Sequence, residues 1–404
     1  MTAWTSRFPC RDEDLLIVAA GSRDALSSAV DALAEGAHRR ETGSAAGPWR
    51  AACVVPHGDP GSRQLRMAGE WLRDGVDWRH HPRSGTFLGR ALAQPRVGFL
   101  FPGQGSPPHV DGGAWARTMP DVAELYAEAR LPAAQPSTPD TSVAQPAIVT
   151  AAVAGLRTLA AHGIEAEVAI GHSVGELAAL YWAGVWDART ALDVARVRGR
   201  LMRDLGPRGA MASLAAGPAR VDTLLAACAG VWVSCHNGPG QTVVGGTAAG
   251  VASAVAAAGR AGLTATTLPV AQAFHTPLMS WVADPFGAYL GLRRLGSPHG
   301  RVISTVTARV VEPDTDLRAL LTEQMTAPVR FAEALSAAEA DLWIEVGPGR
   351  VLTGLVTRGA SRAVALDAGA PTTRGLLATL AAAFCVGVDW KMPSTEPGRH
   401  DGGL

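Results

Sequence analysis

A serine set between two glycines is the first residue in this sequence whose surroundings could do chemistry. In Val168-Ala169-Ile170-Gly171-His172-Ser173-Val174-Gly175-Glu176-Leu177, an apolar run ends in Gly-His-Ser-Val-Gly and an alanine- and leucine-rich helical pattern follows. A G-x-S-x-G turn between a buried strand and a helix is the setting of a nucleophile elbow, where the glycines let the backbone lift a serine off the end of a sheet. The helix that begins there aims free N–H groups and its positive end at the serine. Taken alone, Ser173 is a nucleophile of the hydrolase kind.

Such a serine needs a base, and histidine is the usual one near neutral pH. The chain holds eleven histidines. His172 adjoins Ser173, but neighbouring side chains at a sharp elbow point apart, so a structural role suits it better. His162 and His236 fall at a helix end and a turn. His275, in Ala271-Gln272-Ala273-Phe274-His275-Thr276-Pro277, lies downstream of the nucleophile in hydrolase-like chain order, at a lobe boundary where a cleft would form. Spacing alone leaves a structural histidine as the alternative. A second glycine-flanked turn, Pro102-Gly103-Gln104-Gly105-Ser106, closes another apolar run. It is either a tight connection only or a source of backbone N–H groups for an oxyanion hole.

The elements that must position these residues are α/β in pattern. Residues 12 to about 93 read as a small α/β module: strand 15–20, a helix opened by Ser22-Arg23-Asp24 to about 37, a polar loop 39–47, strand 50–55 and helix 63–73. His80 and His81 fall in a polar loop there without a partner carboxylate or cysteine, so no metal site is expected. Strand 96–101 feeds the Gln104 turn. A helix near 120–130, a Pro- and Thr-rich loop, Val143-Ala144-Gln145-Pro146-Ala147 and a helix to about 162 come next, then strand 167–170 into the elbow. The helix over 187–205 carries Arg196, Arg198, Arg200 and Arg203, most of them expected to be solvated surface charge. Residues 210–270 give β-α-β-β-α-β, the split motif of a ferredoxin-like fold, with strands 231–235 and 241–244 around Asn237-Gly238-Pro239-Gly240. Strands 301–306, 342–346 and 363–366 and helices 331–338 and 374–386 complete a larger lobe, and the polar tail after Pro393 is expected to be unordered. The expected architecture is an α/β-hydrolase-like core with an inserted ferredoxin-like small subdomain, preceded by a small α/β linker module.

Composition narrows the function classes. At 404 residues the chain exceeds what one core usually fills, so two or three lobes are expected. Formal net charge is zero, which gives no nucleic-acid or membrane footprint. Lys391 is the only lysine, which excludes a G-K-[ST] phosphate loop and disfavours Schiff-base chemistry. Five cysteines form no C-x-x-C pair, so reduced thiols and no metal are the expectation. The N-terminus lacks a signal-sequence pattern, and no apolar run looks long enough to span a bilayer, 375–388 being too short. The expected setting is cytoplasmic.

Phe101-Pro102-Gly103-Gln104-Gly105-Ser106, Gly171-His172-Ser173-Val174-Gly175-Glu176, Arg198-Gly199 and Ala273-Phe274-His275 follow the order seen in malonyl-CoA:acyl-carrier-protein acyltransferases. The resemblance covers about residues 94–390 and is closest to acyltransferase domains of type I polyketide synthases. Asn237–Gly246, Ala327-Pro328-Val329-Arg330-Phe331 and Glu345-Val346-Gly347-Pro348-Gly349 match later landmarks. Residues 1–93 resemble the linker between ketosynthase and acyltransferase. Residues 94–208 and 271–390 would form the large subdomain and the start of the following linker, 209–270 the small subdomain, and 391–404 a tail. Phe87-Leu88-Gly89-Arg90 and the short loop after Gly112-Gly113-Ala114-Trp115 are more like enediyne-type iterative synthases.

The resemblance implies acylation of Ser173 by malonyl-CoA, with His275 taking the proton and returning it to the leaving thiol. The N–H groups of Gln104 and Val174 would hold the oxyanion. Arg198 would pair in bidentate fashion with the free carboxylate of the acyl unit, and the phosphopantetheine thiol of an acyl carrier protein would accept it. Gln145, Gln272, His172 and Phe274 are the further candidates around the acyl group. No bound cofactor is implied, and a neighbouring ketosynthase domain is. The imidazole would be oriented by a main-chain carbonyl near Ser304-Thr305 rather than by an aspartate. Phe274 before the histidine accompanies malonyl selection, because a bulky ring beside the α-carbon leaves no room for a methyl branch. Val174 fits the same group, while Gln272 stands where a histidine is usual. The alternatives are a serine hydrolase or editing thioesterase on the same elbow, loading of a larger dicarboxylic acyl group, and a non-catalytic docking scaffold.

Overall fold

Apolar runs build the central strands of the N-terminal sheet, Leu15–Ala20 and Ala51–Val55 among them, and apolar runs likewise build the parallel sheet that follows. The computed structural model describes residues 3–9, 11–36, 47–132, 140–359 and 361–391. The tail after Pro393, nearly all of the 39–47 loop and the Pro- and Thr-rich loop at 133–139 lie outside them. Two units are distinguished: residues 1–95 with 156–165 and 377–404, and residues 96–155 with 166–376.

The first unit contains β1 (Trp4–Pro9), β2 (Glu13–Ala20), α1 (Arg23–Ala34), β3 (Trp49–Pro56), α2 (Ser62–Arg73), β4 (Trp78–His81) and β5 (Thr86–Arg90). The strands pair antiparallel in the order β1-β2-β3-β5-β4. Ser22 caps α1 by accepting from the Ala25 amide at 3.2 Å, a bond that satisfies one of the free first-turn donors. Val18, Leu26, Val30, Leu65, Ala68, Leu72 and Leu88 form the core between sheet and helices. His80 and His81 are not in a loop as the sequence suggested. They lie in β4, paired with Phe87 and Thr86 of β5 at the sheet edge, and His80 stacks on Phe87. The C-terminal segment also belongs here, which a boundary at 93 did not anticipate. The Leu92 amide donates to the Val386 carbonyl at 2.7 Å. Gly89 is required for the approach, since a Cβ there would stand 2.3 Å from the Cys385 carbonyl oxygen.

The second unit is built on five parallel strands. In chain order it runs β6 (Val97–Phe101), α3 (Gly113–Thr118), α4 (Pro120–Ala129), α5 (Thr141–Ala161), β7 (Val168–Gly171), α6 (Gly175–Trp182) and α7 (Ala188–Leu205). Then come β8 (Ala210–Leu214), α8 (Pro218–Leu225), β9 (Val231–Gly238), β10 (Gln241–Gly246), α9 (Ala248–Arg260) and β11 (Ala265–Thr267). The chain continues through α10 (Ser280–Gly291), β12 (Arg301–Ile303), α11 (Leu317–Glu323), α12 (Phe331–Ser336), β13 (Leu342–Glu345), α13 (Val351–Val356) and β14 (Ala363–Ala365), then enters α14 (Arg374–Val386). Residues of α14 from 377 and of α5 from 156 belong to the first unit. The parallel order is β12-β7-β6-β13-β14, and β6, β7 and β13 are buried throughout, as strands covered on both faces must be. β8 to β11 form a separate antiparallel sheet in the order β11-β8-β10-β9, with a core of Ala212, Leu214, Val221, Val244, Val251 and Ala254.

One exclusion made from the sequence needs correcting. α5 has 21 residues, a mean hydropathy of 1.3 and so the length and composition to cross a membrane, but 83% of that window is buried in the protein. Its apolar character is that of a helix enclosed on all sides.

Candidate active site

Parallel strands deliver their C-terminal ends to one edge of a sheet, and ligands gather there. β6 and β7 are neighbours, with Phe101 opposite Gly171, so the Gln104 turn and the Ser173 turn come side by side. Ser173 is held at φ 54°, a left-handed conformation that costs a side-chain-bearing residue about 1–3 kcal/mol and persists only when its surroundings enforce it. The flanking glycines enforce it by close approach. A Cβ on Gly171 would lie 2.3 Å from Glu176 Cα, and one on Gly175 would lie 2.1 Å from the Phe101 carbonyl oxygen.

His275 comes to the same point from the exit of the antiparallel sheet, and its Nε2 is 2.7 Å from Ser173 Oγ. It too has a positive φ, 59°. Its Nδ1 lies 3.0 Å from the Gln324 carbonyl oxygen and 3.1 Å from that of Ala327. Two acceptors at Nδ1 place the ring proton there and leave Nε2 to accept from the serine hydroxyl. The orienting carbonyl is therefore not at Ser304–Thr305. Thr305 follows β12, which pairs with β7, and so lies beneath the elbow, donating its hydroxyl to the Gly171 carbonyl at 2.9 Å. Gln324 instead caps the C-terminus of α11, where last-turn carbonyls have no helical partner and are free to hold the imidazole. The segment after it is anchored by Val329, which exchanges backbone hydrogen bonds with Ser234 and His236 of β9 at 2.8 Å each.

Arg198 is 1% exposed. It lies in the buried stripe of α7, with Ala191, Val194, Ala195 and Met202, whereas Arg196 pairs with Asp193 and Arg203 with Asp204. Gly199 lets α7 pack this closely, since a Cβ there would be 2.6 Å from the Thr141 carbonyl oxygen. Nη1 donates to Gln145 Oε1 at 2.9 Å and Nη2 to Gln324 Oε1 at 3.0 Å. Nη2 is also 3.4 Å from Ser173 Oγ. Nε is buried without a hydrogen-bond partner. Among the described residues no carboxylate is ion-paired with this guanidinium.

Burial sets the electrostatics. Desolvation pushes Arg198 down to about 9, which leaves it a cation at neutral pH. The same cause, helped by the charge of Arg198 and by His172, pushes His275 down to about 3. The imidazole is thus neutral, the form a base needs. Glu176, fully buried at the start of α6, is pushed up to about 7 by desolvation; its Oε2 accepts from Gln324 Nε2 at 2.6 Å.

The other expected residues are placed as follows. The backbone amides of Gln104 and Val174 donate to no protein acceptor among the described residues. The Gln104 side chain donates to Thr141 Oγ1 at 2.8 Å, and Gln145 donates to Gln104 Oε1 at 3.4 Å. Phe274 is buried beside His275 in the chain, and Gln272 is nearly so, in an isolated β-bridge with Arg208. His172 turns away to Asn237, Nε2 to Oδ1 at 2.9 Å, and packs on Phe331. It serves as a wall between the elbow and β9. Gln324 and Glu176 are the residues the sequence reading did not assign. The signal for Gln324 was its place three residues ahead of Ala327-Pro328. A cleft of about 400 Å³ lined by Val231, Val233, Pro277, Thr326 and Pro328 reaches His275. Among the described residues no group of three or more His, Cys, Asp or Glu could hold a metal ion.

A serine on a strained elbow, a neutral histidine at hydrogen-bond distance and two free amides make a site for acyl transfer through an acyl-serine. The sequence pattern of the acyl transferase domain matches residues 113–376, a span that holds Ser173, Arg198 and His275. The chain belongs to the acyltransferase family. This acyltransferase is 33% identical over 291 residues to the malonyl CoA-acyl carrier protein transacylase of Bacillus subtilis, covering 65% of the chain and 90% of that protein. It is 36% identical over 293 residues, 67% of the chain, to the polyketide synthase GfsB of Streptomyces halstedii, of which it spans only 5%. The other large synthases it matches are likewise far longer, the chain spanning 16% of NorB of Streptomyces orinoci. Among solved structures, the acyltransferase domain of the iterative polyketide synthase in enediyne biosynthesis aligns with a TM-score of 0.79 and 34% identity, over 96% of this chain and 100% of that one. The malonyl CoA-acyl carrier protein transacylase of Clostridium perfringens aligns with a TM-score of 0.66 and 25% identity, over 70% and 96%.

Proposed function

We propose that the acyltransferase moves a malonyl unit from malonyl-CoA, through acyl-Ser173, to the phosphopantetheine thiol of an acyl carrier protein in polyketide assembly. The observation that carries this reading is Arg198. A buried cation with no carboxylate partner is costly, and this one sits 3.4 Å from the nucleophile with a bare Nε. An acyl group bearing its own carboxylate supplies the direct ion-pair partner that Arg198 lacks, at the place where acylation occurs.

The chemistry then runs in two halves. Ser173 Oγ attacks the thioester carbonyl while His275 Nε2 takes the hydroxyl proton, and the oxyanion is held by the amides of Gln104 and Val174. Collapse breaks the C–S bond, and coenzyme A leaves with the proton from His275. The carrier thiol repeats the sequence in reverse, giving its proton to His275 and restoring the serine. Arg198, supported by Gln145 and Gln324, fixes the acyl carboxylate, and Phe274 crowds the α-carbon against a methyl branch. Gln272 and His172 shape the surrounding wall.

The same reading treats the β8–β11 unit as a ferredoxin-like subdomain inserted in an α/β-hydrolase-like core, and the first unit as linker beside a neighbouring ketosynthase. A cytoplasmic setting, where coenzyme A thioesters circulate, suits it. The names of the transacylase relatives support malonyl as the cargo and a carrier protein as the acceptor, and those of the synthases support polyketide assembly. The test is discharge of the preformed malonyl-enzyme. A pantetheine thiol or holo carrier protein should clear the adduct many times faster than buffer alone; clearance by water at the same rate would make the protein a hydrolase.

A further inference from the structure

Glu176 has no part in the transfer chemistry, yet it is a fully buried carboxyl group behind the nucleophile. Its Oε2 accepts from Gln324 Nε2 at 2.6 Å and from Thr305 Oγ1 at 3.4 Å. Its Oε1 is buried with no partner. The Gln324 side chain stands between two groups of fixed polarity. Glu176 Oε2 accepts, and Arg198 only donates. The amide must therefore turn its NH₂ to Glu176 and its oxygen to Arg198, and that oxygen is 3.0 Å from Arg198 Nη2. The Gln324 main-chain carbonyl meanwhile holds His275. One residue thus ties the carboxyl behind the elbow to both the arginine and the base.

We propose that Glu176 is a positioning residue for the acyl-carboxylate site: an anion opposite Arg198, through Gln324, while the site is empty, it takes up one proton from solvent when an acyl carboxylate pairs with Arg198. The inference rests on the reading that the acyl group carries a free carboxylate. Two carboxylates around one guanidinium in a buried site cannot both stay ionised at no cost, so the one that is buried from solvent and not itself hydrogen-bonded to Arg198 accepts the proton. The bare Oε1 is where it lands. Oε2 stays free to accept from Gln324, so the orienting network is the same in both states. The other charged or titratable groups facing this carboxyl do not take over the role. Arg198 of α7 is the cation being shared, and burial holds both His172, after β7, and His275, after β11, towards the neutral form. Ser304 and Thr305 after β12 and Gln324 after α11 are uncharged.

The consequence is a pH dependence of selectivity. Glu176 in the empty site is pushed up to about 7, so below that pH it is already neutral and an acyl carboxylate enters freely. Above it, entry requires a proton, and preference for malonyl over acetyl falls by about tenfold per pH unit. Single-turnover acylation of Ser173 by malonyl-CoA and by acetyl-CoA from pH 6 to 8.5 reads this directly. Any titration of His275 affects both acyl groups and cancels in the ratio. The expected result is a falling ratio above pH 7 in the wild type and a flat one in Glu176→Gln. A flat ratio in the wild type, or an equal slope in the variant, overturns the inference. Calorimetric titration of Ser173→Ala with malonyl-CoA at pH 8, in buffers of different ionisation heat, keeps Glu176 in place. It should show about one proton taken up per malonyl-CoA bound, and none taken up overturns the proposal even if Glu176→Gln fails to fold. A wild type that prefers malonyl at no pH overturns the carboxylate reading itself, a result distinct from a malonyl preference that ignores pH.

Discussion

Replacing Arg198 by alanine separates binding of the acyl carboxylate from the rest of catalysis. The guanidinium has five N–H donors; one goes to Gln145 and one to Gln324, and Nε–H has no partner. A malonyl carboxylate can therefore accept two of those that remain. Hydrogen bonds to charged groups contribute roughly 1.5–3 kcal/mol each, so two are worth about 3–6 kcal/mol. At about 1.4 kcal/mol per decade, kcat/KM for malonyl-CoA should fall by roughly 10² to 10⁴. Acetyl-CoA makes no such contact. Its kcat/KM should change by less than about tenfold, because removing the cation also relieves the depression of His275. Arg198→Lys keeps the charge without the planar fork and should recover only part of the malonyl rate. The assay is initial-rate kinetics with both thioesters on variants whose thermal transitions remain cooperative, since the Gln145 and Gln324 oxygens left unpaired cost about 1–3 kcal/mol each. A parallel fall with both substrates would refute the reasoning and make Arg198 a structural residue.

Other outcomes follow from the same geometry. His275 at about 3 lies below the ordinary 6.5, so the base stays neutral as the pH drops; acetyl loading should be flat from pH 7.5 to 5. In Arg198→Ala the acid limb of that profile should move up toward 6.5, and an unmoved limb would show that the arginine charge does not act on the base. Phe274→Ser opens the space beside the α-carbon, and the preference for malonyl over methylmalonyl should shrink by roughly 10- to 200-fold, as expected for about 1–3 kcal/mol of methyl-sized crowding; competition between the two thioesters measures it. Gln324→Ala keeps the carbonyl that holds His275 but removes the amide that supports Arg198, so KM for malonyl-CoA should rise while acetyl loading keeps its pH profile. Gly175→Ala would place a Cβ 2.1 Å from the Phe101 carbonyl and should lower the thermal midpoint by about 5 degrees, the effect of a loss of about 4–5 kcal/mol in a chain of this size.

Much of the site was legible because its signals are local. The elbow needs glycines on both sides of a serine at a strand end, and the sequence carries all of them within five residues. Arg198 was legible through the resemblance alone; its place in the buried 191-194-195-198-202 stripe of α7 is what the structure adds. The orienting group of His275 was not legible, because it is a main-chain carbonyl and any residue at 324 would supply one. Its position depends on how α11 ends and on the pairing of Val329 with β9, both products of tertiary packing. Glu176 was visible only as part of the motif; nothing in Gly-His-Ser-Val-Gly-Glu tells that its carboxyl folds under the elbow toward Gln324. His80 and His81 read as loop because β4 is a four-residue edge strand with no fully buried residue, so its sequence carries no apolar run. The joining of the C-terminal segment to the first unit is a contact across some three hundred residues, which no local pattern announces.

The central claim is that Ser173 accepts a small acyl group because Arg198 receives its carboxylate. Intact mass of the protein after brief mixing with equimolar malonyl-CoA and acetyl-CoA tests it in one tube. The account predicts a single malonyl adduct that maps to Ser173, is absent from Ser173→Ala, and gives way to acetyl in Arg198→Ala. Equal labelling by both acyl groups in the wild type, or an adduct that survives Ser173→Ala, would contradict it.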